Sequence, residues 1–239
     1  MKLFIGVRYI PFLFILLTTV FGQEFITTKT VVSCIDSTNF VMLTNDGGQP
    51  TVFRRNYKLT TPTTISTQYK ADADLYLSSG IRIHLSDESS ITIHSAEQDI
   101  SKDEQGDVQL IGVGLGVVIN AKIDQGRADF KLDSTPNESS SIIVLTDHSE
   151  LEVHATQFTI VVSSYGFTRV RCIDGYLLAT MSNNKVERIE NEEVSIYNGN
   201  EVILRTLVSV PLYSWIERKL PTVKWNGTDL TVTESHMEP

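Results

Sequence analysis

Two segments of regular alternation decide the fold: ELEVHATQFTIVV at residues 150–162 and RVRCIDGYLLATM at residues 169–181. Apolar and polar residues alternate along both segments with almost no interruption. This period of two is typical of strands that bury one face and expose the other. Neither segment contains an obvious catalytic group, so the pattern predicts two neighbouring strands whose regularity is structural.

The same alternation continues over most of the chain, where short strand patterns are separated by turn residues. The segment GIRIHLSDESSITIHS at 80–95 predicts a β-hairpin that buries isoleucines and directs Arg82, His84, Thr92 and His94 to the opposite face. LYSWIERKL at 212–220, between two prolines, predicts a short helix. The sequence therefore predicts an all-β fold, β-solenoid or sandwich-like, with one short C-terminal helix.

The first 22 residues have the pattern of a secretory signal. Lys2 and Arg8 precede the apolar run YIPFLFILLTTVFG, and Val20 and Gly22 occupy the positions that a signal peptidase reads. The run is shorter than the roughly 20 apolar residues of a comfortable membrane span. We therefore expect cleavage before Gln23, with an uncleaved anchor as the alternative.

The charge balance limits the partners. Cleavage would remove two cations and no acid from a chain of net charge −9, which leaves −11. An acidic surface disfavours nucleic acids and anionic membrane surfaces, since both attract clusters of Lys and Arg. The charge thus fits a soluble exported protein, and we expect no transmembrane segment beyond the signal. A protein and a cell-envelope glycan both stay open as partners.

Three stretches resemble the periplasmic domain of the FecR family. The first is RNYKLTTPTTISTQYKADADLYLSSGIRIHLSDESSITI, which contains an L-x-D-x-S-x-I pattern starting at Leu85. The second is INAKIDQGRADFKL, in which Gly126 takes the turn. The third runs from SIIVLTDHSELEVHATQFTIVV to Asp174-Gly175, and Ala155 stands where the family has a glycine. NEEVSIYNGN is similar to the family's closing strand.

The resemblance implies an all-β module of the bacterial envelope, periplasmic or secreted, that binds or signals rather than catalyses. In the full regulators this module receives a signal from an outer-membrane receptor, and a cytoplasmic segment controls a sigma factor. Eight residues precede the apolar run here, so we expect no sigma-factor role. The predicted organisation is a signal peptide at 1–22, N-terminal strands at 23–49, the FecR-like domain at 50–200, and a strand, short helix and tail at 201–239.

The two cysteines, Cys34 and Cys172, both lie in strand-like segments. An exported chain can oxidise them, so two alternatives stay open: a disulfide or two buried thiols that never meet. Neither cysteine has enough ligand residues nearby for a metal site. His84 and His94 on one hairpin face would supply at most half of a zinc site, so we predict no metal and no cofactor.

Tyr213, Trp215 and Trp225 form an aromatic cluster near the C-terminus. It predicts either a cap that covers the end of the sheet or a patch that binds a partner or a sugar. No G-x-S-x-G, H-E-x-x-H or P-loop occurs in the sequence, so a binding protein is favoured over an enzyme. Three alternatives stay open: a regulator piece that contacts an outer-membrane receptor, an envelope enzyme acting on polysaccharide, and a structural envelope protein.

Overall fold

The protein is all-β in every part that the structure describes, as predicted. This computed structural model describes residues 25–30, 32–53, 58–102, 108–109, 116–207, 222–225 and 230–233, which form strands and turns without a helix. The predicted helix at 212–220 and the predicted signal at 1–22 lie outside these residues.

Nineteen strands follow one another along the described chain. Those of the first half are β1 (Phe25–Lys29), β2 (Val32–Thr38), β3 (Val41–Asn45), β4 (Thr51–Val52), β5 (Lys58–Leu59), β6 (Thr63–Thr67), β7 (Asp72–Leu77), β8 (Ile81–Leu85), β9 (Ser90–Lys102) and β10 (Val108–Gln109). Those of the second half are β11 (Val118–Leu132), β12 (Ser141–Leu145), β13 (Ser149–Ser163), β14 (Phe167–Met181), β15 (Val186–Glu190), β16 (Glu192–Tyr197), β17 (Glu201–Leu207), β18 (Thr222–Trp225) and β19 (Leu230–Thr233).

The strands form two layers that share their three longest members. Layer A follows the order β2, β7, β8, β11, β13, β14, β16, β17. Layer B follows the order β4, β3, β6, β9, β11, β12, β13, β14, β15. All neighbours are antiparallel except β11 and β12, which are parallel. The arrangement is sandwich-like, one of the two alternatives that the sequence left open.

Strands β11, β13 and β14 each have 15 residues and pass from one layer into the other. The first half of β11 pairs with β9 and β12, and its second half pairs with β8 and β13. The change from one layer to the other occurs at Gly126 in β11 and at Gly175 in β14. Both glycines have a positive φ. Strands that change sheet in this way bend or carry bulges at the corner.

The inward faces of the two layers bury one hydrophobic core. Its largest fully buried side chains come from layer A, including Leu75, Ile83 and Phe158, and from layer B, including Ile65 and Ile91. The rings of Phe130 and Phe158 are stacked with their centroids 4.6 Å apart. Alternation along each strand places these residues on one side and polar residues on the other, so the period of two in the sequence predicts the burial correctly.

The predicted hairpin at 80–95 is wrong, although its alternation is right. Strand β8 pairs with β7 and β11, whereas β9 pairs with β1, β6, β10 and β11. The SDESS segment is therefore an arch that leads from layer A to layer B. Ile83 and Ile91 are both buried in the common core. Two strands in facing layers bury these residues to the same extent as two strands of one hairpin. Alternation alone could not distinguish the two pairings.

After residue 200 the described chain forms strand β17 at the edge of layer A and, further on, strands β18 and β19. Strands β18 and β19 form a separate two-stranded antiparallel sheet. This hairpin lies in the region predicted to be a tail. The alternating segments of its two strands are too short to be distinctive in the sequence.

The corner between β13 and β14 accommodates an alanine at position 155. Ala155 is fully buried and lies directly opposite Gly175. A Cβ atom on Gly175 would lie 2.6 Å from Cα of Ala155 and 2.5 Å from the carbonyl oxygen of His154. The backbones approach closely here because Gly175 has no side chain, and this leaves room for the methyl group of Ala155.

We expect Gly175→Ala to lower the free energy of unfolding by about 2–4 kcal/mol, the sum of a left-handed backbone and a clash with neighbouring backbone. Gly47→Ala is the matched control. Gly47 also has a positive φ, but a Cβ there meets nothing within 4 Å. Urea denaturation should show a loss of only about 1 kcal/mol for the control. Equal losses for the two variants would contradict the close-approach account.

Candidate functional site

A groove of about 530 Å³ lies where the arch meets the corner of β11. We call it the arch groove. Three separate segments line it: the end of β6 with the turn after it, the arch between β8 and β9, and the bend of β11 just before Gly126. The lining residues are Ser66, Thr67, Gln68, Tyr69, Glu88, Ser89, Ser90, Asp124 and Gln125.

The floor of the groove is held by buried hydrogen bonds between the arch and its neighbours. The backbone N–H of Ser89 donates to Oγ1 of Thr67 at 2.9 Å, and the backbone N–H of Arg127 donates to Oγ of Ser89 at 2.8 Å. A Cβ on Gly126 would lie 2.5 Å from Cα of Ser89. The missing side chain therefore lets the arch rest directly on the bend of β11. The left-handed backbone of Glu88 turns the chain at the rim.

Hydroxyl groups continue from the groove over the outer face of layer B. The hydroxyls of Ser66 and Ser90 lie 3.0 Å apart, and those of Thr64 and Thr92 lie 2.9 Å apart. Thr92 also donates to Asp124 at 3.1 Å. Cross-strand pairing of β6 with β9 places these residues opposite one another. The result is an ordered array of donors and acceptors on a sheet surface.

One aromatic ring lines the groove, and a second belongs to a residue whose backbone contacts the lining residue Gln68. Tyr69 is 67% exposed, and the ammonium group of Lys70 lies 5.2 Å from the centroid of its ring. Phe40 is 66% exposed, and its carbonyl oxygen accepts a hydrogen bond from the backbone N–H of Gln68. Large rings that are this exposed beside a polar groove are typical of recognition surfaces.

Strand β17 is a second candidate surface, because it lies at the edge of layer A. Among the described strands it pairs only with β16. Its residues Ile203 and Leu204 are 49% and 53% exposed. Arg205 binds Glu192 at 2.5 Å and also Glu187, so ion pairs fix one side of the strand. Hydrogen bonding by Lys185, the largest cause, lowers the pKa of Glu187.

The outer face of layer A carries a row of polar residues on neighbouring strands. On adjacent strands, His84 lies opposite both Asp74 and Asp129. Asp129 in turn lies opposite Thr159. Asp129 is buried and accepts hydrogen bonds from Arg127, at 2.9–3.2 Å, and from Thr159. Each buried charge thus has a partner, which offsets its loss of water. We interpret the row as structural.

The two cysteines do not form a disulfide in this structure, because Cys172 is a free buried thiol. Cys34 lies on β2, and β7, β8, β11 and β13 separate that strand from β14 in layer A. Five strand spacings of about 4.8 Å exceed the bridging limit of about 7 Å between Cα atoms. Burial raises the pKa of Cys172 to about 11, which makes it an unreactive core thiol and favours the second of the two alternatives.

The histidines are not brought together into a metal site. His84 lies on β8 in layer A and His94 on β9 in layer B, so they do not share the predicted hairpin face. His154 stacks on Tyr176 with ring centroids 4.6 Å apart and contacts Glu152 at 2.8 Å. His148 contacts the hydroxyl of Thr168 at 3.0 Å. Within the described ranges no group of three or more His, Cys, Asp or Glu residues could hold a metal ion.

The predicted aromatic patch falls largely outside the described residues. This holds for Tyr213 and Trp215, while Trp225 lies at the end of β18 opposite Leu230. Neither the cap nor the binding patch is tested. The described part of the chain also contains no helix long and apolar enough to cross a membrane.

Sequence reasoning missed the arch groove. Its lining comes from residues 66–69, 88–90 and 124–125, which are far apart along the chain. The only sequence signal is an aromatic residue in the polar stretch STQYKADAD at 66–74. That pattern is common in surface turns and does not reveal which other segments lie beside it.

No family model and no curated protein matches the chain. Two solved structures of a proposed anti-sigma factor from Parabacteroides distasonis are similar to it. The 2.50 Å structure has a TM-score of 0.45 and 18% identity, over 60% of this chain and 59% of that chain. The 1.65 Å structure has a TM-score of 0.44 and 18% identity, over 62% and 60% respectively. The chain thus spans about three fifths of the length of these proteins.

The contact between His84 and Asp74 makes stability depend on pH. Nδ1 of His84 donates to Oδ1 of Asp74 at 2.7 Å, and this hydrogen bond is the largest cause that raises the pKa of the imidazole above its usual 6.5. Because the folded pKa exceeds the unfolded one, the stabilisation is complete below the unfolded pKa and is lost as the pH rises through the folded pKa.

We therefore expect the advantage of the wild type over His84→Gln in free energy of unfolding to shrink between about pH 6 and pH 8.5, by about 1 kcal/mol or less. Urea denaturation at a series of pH values measures it. His94→Gln, at an exposed position on β9, should show no such trend. A constant difference for His84→Gln across this range would contradict the role of the pair.

Proposed function

We propose that this protein is an exported, non-catalytic FecR-like binding and signalling module of the bacterial envelope, and that strand β17 receives an extended segment of a protein partner. The exposed edge of layer A carries the proposal. The order of the FecR-like motifs and the signal pattern at 1–22 support the family and the location.

An edge strand offers unpaired backbone groups, to which an extended segment of another protein can add as a further strand. Ile203 and Leu204 provide exposed apolar side chains on β17. Arg205, held by Glu187 and Glu192, keeps the strand in place before the partner arrives. A preformed strand lowers the entropy cost of binding. The partner should thus present an extended segment with apolar side chains at alternate positions.

An outer-membrane receptor is the specific partner that the FecR resemblance favours, and strand addition suits such a contact. A cell-envelope glycan is the second candidate partner. It requires a polar site lined by hydroxyl and amide groups, and the arch groove has this lining.

A photo-crosslinking amino acid at position 204 tests the edge in living cells. We expect one protein partner to be captured there, through an extended segment that mass spectrometry identifies. The same amino acid at Val186, which is 56% exposed on the edge strand β15, is the matched control. Equal capture of the same protein at both positions would show that β17 is not the site.

The affinity of that segment, made as a peptide, should depend on the apolar residues of β17. We expect Ile203→Lys to weaken binding about tenfold or more, because a charge replaces an apolar contact. Val186→Lys should leave it unchanged. Fluorescence polarisation measures both, and an unaltered affinity for Ile203→Lys would contradict the proposal.

If the protein is exported and its signal is cleaved, the mature chain has a defined N-terminus. The chain recovered from the envelope of its own host should begin at Gln23, as shown by mass spectrometry of the intact protein and of its N-terminal peptide. Recovery of the full 26.7 kDa chain in the membrane fraction would indicate an uncleaved anchor, and its recovery in the cytoplasm would refute export.

A further inference from the structure

We infer that the arch groove is a binding site for a neutral saccharide, separate from the protein-binding edge at β17. This extends the proposed function by a second ligand class at a second place. The groove lies on layer B, beside the bend of β11, whereas β17 is the outermost strand of layer A.

The lining of the groove excludes two other ligand classes. Its only large apolar surface is the ring of Tyr69, whereas sites for drug-like apolar ligands are lined mainly by hydrophobic side chains. Among the lining residues, all within the described ranges, no side chain is basic, and both Glu88 and Asp124 are acidic. The ammonium groups nearest to the lining already have partners, since that of Lys122 lies 3.1 Å from Asp124 and that of Lys70 lies near the ring of Tyr69. The lining itself therefore offers an anion no cation with which to pair.

The same lining suits a neutral ring that carries many hydroxyl groups. Tyr69 is 67% exposed although the ammonium group of Lys70 lies over its ring, so aromatic surface remains on which the apolar face of a sugar ring can pack. The amide of Gln68 and the carboxylate of Glu88 make no side-chain hydrogen bond within the described part of the chain, and both residues are exposed. They can donate and accept at the sugar hydroxyls. The hydroxyls of Ser66 and Ser90, bonded to each other, retain further hydrogen-bonding capacity.

The groove is also preformed. Thr67 and Ser89 hold the arch against β6 through reciprocal contacts, including a 2.8 Å hydrogen bond from the backbone N–H of Thr67 to the carbonyl oxygen of Ser89. Gln125 donates from Nε2 to the carbonyl oxygen of Glu88 at 3.3 Å and ties the rim to β11. A site that needs little ordering loses little entropy when the ligand binds.

The test uses the full exported chain and four neutral trisaccharides: chitotriose, cellotriose, maltotriose and xylotriose. Isothermal titration calorimetry should detect at least one of them with a dissociation constant in the millimolar range or below. Tyr69→Ala and Gln68→Ala should each weaken that binding, and Tyr69→Ala by about tenfold or more. Because both residues are exposed, the urea midpoints of these variants should equal that of the wild type.

Tyr165→Ala is the matched control, since Tyr165 is 83% exposed on the turn between β13 and β14, away from the groove lining. Its affinity should be unchanged. Lack of binding by all four sugars at millimolar concentration would overturn the inference, as would binding that Tyr69→Ala does not weaken. Capture of a protein at β17 is independent of these results, so failure of one proposal is distinguishable from failure of the other.

Discussion

The structure depends on the close approach of backbones where the long strands leave one layer and enter the other. At these corners Gly126 faces Ser89, and Gly175 faces Ala155, with no room for a further Cβ atom. Each contact lets a 15-residue strand bend without losing its partners on either side. Because three such strands are shared, neither layer can shift without the other, and the two inward faces enclose one core.

The corners also determine where the surface features lie. The bend of β11 provides the seat for the arch, and the arch in turn forms the rim of the groove. Layer A extends past the corner of β14 through β16 to β17, which ends the sheet with exposed apolar residues. The groove and the edge therefore belong to different layers of one rigid scaffold, so a protein and a small ligand can be bound without competition for the same residues.

Alternation along the sequence predicted the features that depend on residues close together in the chain. The alternation in β13 and β14 predicted neighbouring strands, and their register from Ser149 opposite Met181 to Ser163 opposite Phe167 confirms it. The pairing of β8 was predicted wrongly, because burial of Ile83 and Ile91 is satisfied equally by a hairpin and by facing layers. The groove was not predictable, since pairings of β6 with β9 and of β9 with β11 bring its segments together over long sequence separations.

Polar groups of the described chain divide into paired charges and exposed contact groups. Several charged side chains with little exposure are bound to one another: Asp129 to Arg127, His84 to Asp74, and Glu187 and Glu192 to Arg205. Such pairs offset the loss of water that burial imposes on a charge. Tyr69, Gln68 and Glu88 are exposed at the groove, and Ile203 and Leu204 are exposed at the edge. The groove and the edge thus present exposed side chains suited to contact with a partner.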